Sequence, residues 1–125
     1  MNYWVFAAGI LALLTAMIHI IAGQLDPIRP FLKSKLDEVV KATLLACWHM
    51  ISLLLLVSAA FLIFASWQMQ PDLQLFVQVV ASLYICFSII FITVGGYFFK
   101  FQAMLKLPQW TLLLPVGCLA FYGVY

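Results

Sequence analysis

Residues 3–24 read "YWVFAAGILALLTAMIHIIAGQ", with no Asp, Glu, Lys or Arg and a single imidazole, His19. A hydrocarbon core about 30 Å thick is crossed by roughly 20 apolar residues in helix, so this stretch predicts a transmembrane span. Residues 42–67, 73–99 and 108–125 repeat the pattern. The last has 18 residues, which reach roughly 27 Å at about 1.5 Å per residue and barely cross. Every backbone amide in lipid must be satisfied within its own segment, and so short a chain cannot close a barrel. The expected fold is therefore an all-α integral membrane protein. It is a single domain, 1–125, with four transmembrane helices in an antiparallel bundle and a short cytoplasmic interfacial helix between spans one and two.

Composition agrees. The chain is 67% hydrophobic and 8% charged, with mean hydropathy +1.17, far from the make-up of a soluble domain. A water-soluble globule of this size would leave too much of that surface exposed. The N-terminal stretch lacks the basic region and small-residue cleavage site of a secretory signal, so it is expected to be a retained span. A net charge of +2, without basic blocks interleaved with aromatics, gives no support to nucleic-acid binding. Cys47, Cys86 and Cys118 are odd in number and not closely spaced, and they are expected to be small buried packing residues.

The few charges report direction. Arg29, Lys33, Lys35 and Lys41 lie in the first connector, and Lys100 and Lys106 in the third. The positive-inside bias then places both connectors in the cytoplasm and both termini outside, with a bacterial cytoplasmic membrane the expected location. Tyr3, Trp4, Trp67, Tyr122 and Tyr125 are expected to form the outer aromatic belt, and Tyr97 and Trp110 the inner one. Leu32, Leu36, Val39 and Val40 share one helix side, and Lys33 and Asp37 are spaced to pair at i, i+4. The four basic residues are thus expected to anchor the first connector to membrane lipids.

The only histidines, His19 and His49, fall inside apolar spans. Measured from Asp26 and from Lys41, both lie roughly 10 to 12 Å below the cytoplasmic face, at one depth on adjoining helices. Ala8, Ala12, Thr15, Ala16, Ala22, Gly23 and Asp26 share the His19 side of span one, whereas Phe6, Ile10, Leu14, Met17 and Ile21 lie opposite. A face of small residues lets helices approach closely, so His19 is expected to point into the bundle. In span two, Ala42, Ala46, Ser52 and Ala60 lie on the His49 side, and Thr43, Cys47 and Ser58 form a second small stripe almost opposite. In span three, Gln78, Ser82, Cys86, Thr93 and Gly96 gather on one arc, expected to face inward. Pro115, in mid-span four, removes the amide that would bond the Thr111 carbonyl and predicts a kink.

The expected centre is a His19–His49 pair, bonded to each other or to Thr15 and Ser52, acting as intramembrane glue or as a ligand or proton site. The chain is expected to need no cofactor. A b-type haem held between the two imidazoles is the alternative. A metal would need His19, His49 and Cys86 with no carboxylate to help, which argues against one.

The first functional expectation is a membrane protein without catalytic activity, forming a homo-oligomer or serving as an accessory subunit of a larger complex, whose histidines stabilise the bundle or bind a small ligand. A small proton-linked transporter or channel is the alternative. In length and span count the chain resembles the small multidrug resistance proteins, but the carboxylate they carry in the first span is missing here, so proton coupling would fall to His19. A haem- or quinone-linked electron-transfer subunit is the third expectation, with Arg29 or Lys33 placed to meet haem propionates.

Overall fold

The computed structural model describes residues 1–125, apart from the side chains of residues 103 and 104. It is 89% helical, with no strand among the described residues. Six helices follow in order: α1 (Tyr3–Gly23), α2 (Arg29–Leu32), α3 (Glu38–Trp67), α4 (Pro71–Phe99), α5 (Ala103–Lys106) and α6 (Trp110–Val124). Three helical stretches, Tyr3–Leu32, Glu38–Trp67 and Pro71–Gln102, are long and apolar enough to cross a membrane; α6 is apolar but shorter, with 15 residues.

Local chemistry sets the boundaries. Asn2 caps α1 by accepting from the Val5 amide at 3.2 Å, which satisfies one of the amides a helix start leaves open. Pro71 opens α4 at a position where the missing N–H costs nothing. Span one does not stop cleanly at Gln24. The helix kinks there, because Asp26 takes an extended conformation (φ −151°, ψ 112°) ahead of Pro27, as proline requires of its predecessor. The Asp26–Pro27 peptide is cis. α6 runs through Pro115 as one helix.

The first connector differs from expectation. In place of the expected interfacial helix stands the four-residue α2. Asp37 does not pair with Lys33; it caps α3, accepting from the Val39 amide at 2.8 Å, and Lys41 pairs instead with Glu38 at 3.2 Å. A carboxylate beside a helix start meets free amides and the positive end of the helix dipole, which outcompete a solvated lysine.

α1 is the central element, packed against α3 on one side and α6 on the other, while α4 packs along α6. The core is built from small side chains. Val5, Ala8, Ala12 and Ala16 of α1 meet Ala59, Leu62 and Ala65 of α3, and Val116 and Ala120 of α6 adjoin Val77, Ala81 and Tyr84 of α4. Gly117 marks a close approach, since a Cβ there would stand 2.6 Å from Ile85 Cγ1 and 2.9 Å from the Ala81 carbonyl oxygen. α3 and α4 scarcely touch. Their contacts include a Ser58–Tyr84 hydrogen bond of 2.9 Å and an edge contact between Phe61 and Phe76.

At one end Asn2 joins three helices. Its amide donates to the Ser66 carbonyl at 2.7 Å and its side chain donates to the Gly123 carbonyl. The N-terminus of α1 therefore sits beside the C-terminal ends of α3 and α6. Trp4 stacks edge-on with Tyr122 at the same end, with centroids 4.7 Å apart.

Candidate functional site

The expected α1 face is present: Ala8, Ala12, Thr15, Ala16 and Gly23 are buried, while Ile10, Leu14, Met17 and Ile21 lie on the outer surface. Beyond Ala16, toward the kink, the helices separate around a cleft of about 540 Å³. Thr15, His19 and Ala22 of α1 form one wall, and Cys47, Trp48 and Ile51 of α3 the next. Phe87, Ile90 and Phe91 of α4 and Leu112 of α6 complete it. Asp26, Pro27 and Gln109 stand at its mouth; Thr15, Leu55 and Leu113, all buried, line its inner end.

His19 lies flat on the indole of Trp48, with ring centroids 3.9 Å apart and planes inclined by 16°. Gly23, one turn on, gives the indole its room, because a Cβ there would collide with the benzo edge of Trp48. His19 and Gly23 thus form a slot on α1 into which α3 inserts one large ring. The His19 Nε2 is buried and has no hydrogen-bond partner among the described residues. An unsatisfied buried nitrogen of this kind costs about 1 to 3 kcal/mol.

The expected histidine pair is not assembled. His49 is exposed and does not line the cleft; Trp48 takes its place. Among the buried positions of α3, Ser52, Leu55, Ala59, Leu62 and Ser66 form an i, i+3/i+4 stripe that extends back to Trp48. His49 is turned about 100° from Trp48 and so faces away from that stripe. Trp48 carries no mark of chemistry in the sequence beside His49; the one signal that separates them is the stripe of Ser52 and Ala59, whose spacing continues to Trp48.

The polar neighbours are also otherwise engaged. Thr15 lines the cleft, but its hydroxyl donates to the Leu11 carbonyl at 2.8 Å. Ser52 is buried and donates to the Trp48 carbonyl at 3.0 Å. Such bonds to the preceding turn satisfy a hydroxyl without a partner helix. Neither hydroxyl therefore supports an imidazole.

Cys86 is exposed on α4, outside the cleft, so it does not complete a His19–His49–Cys86 set. No group of three or more His, Cys, Asp or Glu placed to hold a metal occurs among the described residues. All three cysteines are exposed, correcting the expectation that they are buried; Cys47 does line the cleft. The α4 arc is corrected similarly: Ser82, Cys86, Thr93 and Gly96 face outward, and Val77, Ala81, Tyr84 and Ser88 form the inner face. Ser82 donates to Gln78 and Thr93 to Ile89 on their own helix, so neither needs burial.

Of the four basic residues of the first connector, Lys41 is held by Glu38, while Arg29, Lys33 and Lys35 have no ion-pair partner among the described residues. None of the four lines the cleft. No protein-family model matches this chain, and neither a curated protein nor a solved structure shows significant similarity to it.

Proposed function

We propose that this chain is a polytopic membrane protein without catalytic activity that holds a small, mainly apolar ligand in the cleft beside His19, as an oligomer or as an accessory subunit. The cleft carries the reading. It lies among α1, α3, α4 and α6 and is walled by apolar side chains with few polar groups, the usual make-up of a small-molecule site. His19, which lines it, carries a buried Nε2 with no hydrogen-bond partner among the described residues.

The four-span antiparallel arrangement belongs to the same proposal. Support comes from the three long apolar helices, from α6 packing along both α1 and α4, and from Asn2 joining the start of α1 to the ends of α3 and α6. With the basic residues of the first and third connectors inside, the mouth of the cleft opens at the cytoplasmic face. A transporter receives less support, because the cleft ends at Thr15, Leu55 and Leu113 and a path across the membrane would require more than one copy. Haem ligation from two sides receives less as well, since His49 faces away.

Native mass spectrometry of the detergent-purified protein tests the reading and reports copy number together. The expected result is a non-covalent adduct on the wild type that disappears in Ala22→Trp, whose indole fills the cleft. A wild type with no adduct at any collision energy that preserves the fold overturns it.

A further inference from the structure

Of the four seams around the bundle, α1–α3, α1–α6 and α4–α6 are extensively packed, and α3–α4 is by far the loosest. The Ser58–Tyr84 hydrogen bond and the Phe61–Phe76 contact join it toward one end. Farther along, the cleft lies between the two helices, walled by Leu44, Trp48 and Ile51 of α3 and by Ile90 and Phe91 of α4. Because α3 and α4 scarcely touch beside it, this seam is its side opening. In a bilayer, that opening faces acyl chains.

The cleft has the dimensions and polarity of a lipid chain. From Leu44 to Leu55 it follows α3 for eleven residues, roughly 16 Å at 1.5 Å per residue. One leaflet supplies about half of a 30 Å hydrocarbon core, roughly 15 Å. The closed end is apolar apart from the Thr15 hydroxyl, which is bonded to its own helix, and the polar residues Asp26 and Gln109 stand at the mouth.

Charge narrows the head group. Among the described residues Asp26 is the only charged one that lines the cleft, and it has no ion-pair partner there. Arg29, Lys33 and Lys35 follow it closely in sequence, equally without ion-pair partners. A purely anionic head would set its charge against the Asp26 carboxylate, and a simple cation would leave Arg29, Lys33 and Lys35 of the same connector without a counter-charge. A zwitterion whose flexible head folds its ammonium back onto Asp26, with its phosphate turned toward the basic connector, answers both.

Resting on the ligand-holding reading above, we infer that the cleft takes one acyl chain of an aminophospholipid, lying behind the α3–α4 seam, with its ammonium on Asp26 and its phosphate in the field of Arg29, Lys33 and Lys35. The chain passes the His19–Trp48 stack on its way to Thr15 and Leu55.

Bromine on an acyl chain quenches tryptophan fluorescence on contact, so Trp48 is a built-in probe. The protein in maltoside micelles is titrated with a chain-brominated lysophosphatidylethanolamine and with the lysophosphatidylglycerol of the same chain. Saturable quenching is expected for both, with the ethanolamine lipid binding roughly fivefold tighter, the size of one partly screened ion pair. Asp26→Asn, an isosteric change at an exposed position, removes that preference. Trp48→Phe removes the saturable component and leaves the unsaturable quenching of Trp4, Trp67 and Trp110. Equal affinities in the wild type overturn the head-group assignment and leave the cleft as a ligand site. Absence of saturable quenching by either lipid overturns the ligand site as well.

Discussion

An imidazole against an indole gains dispersion over one whole face, and the 3.9 Å stack of His19 on Trp48 is that arrangement. The edge of the ring tells a different story, because Nε2 has lost water without gaining a partner. The two histidines, chemically identical and alike in sequence context, therefore carry unlike costs. His19→Phe keeps the stack and deletes the orphaned nitrogen; the ligand-free protein is expected to gain about 1 to 2 kcal/mol, read by chemical unfolding in detergent. His49→Leu exchanges an exposed side chain on the outer surface and is expected to leave stability within about 0.5 kcal/mol and the bound adduct unchanged. A loss of the adduct in His49→Leu would show that the second imidazole serves the cleft after all.

Helix faces were legible where bulk and smallness segregate cleanly. In α1 the alanines and Gly23 fall on one side and the branched residues on the other, so the inner face follows from the wheel alone. α3 offered two small-polar stripes, and composition could not choose between them, while the one small-polar arc of α4 faces outward. The hydroxyls of Ser82 and Thr93 bond their own helix, which frees them to face outward and makes polarity a poor guide to the interior. The choice in α3 is made by a tertiary fit, Trp48 into the gap above Gly23, which has no signature within either helix. Two glycines of similar sequence setting make the same point about contacts. Gly117→Ala drives a methyl toward the Ala81 carbonyl, a backbone atom that cannot swing away, and is expected to cost about 1 to 3 kcal/mol. Gly96→Ala meets nothing within 4 Å and is expected to stabilise α4 by about 0.5 to 1 kcal/mol. Thermal unfolding of the pair in one detergent checks both signs.

At the scale of the molecule, orientation rests on the basic residues in connectors one and three. Single reporter cysteines in a cysteine-free background test it: Lys35→Cys is expected to react only with reagents that reach the cytoplasm, and Gln70→Cys with impermeant reagents added outside. The reverse pattern would turn the mouth of the cleft to the other face. The bundle is also mechanically uneven. Asn2 lashes the start of α1 to the last turns of α3 and α6, and Trp4 bears on Tyr122 beside it. With three helices tied at that end, breathing is expected to be smallest there and to grow toward the opposite end, as the ribs of a fan spread away from the rivet, a gradient that amide hydrogen exchange along α1 checks.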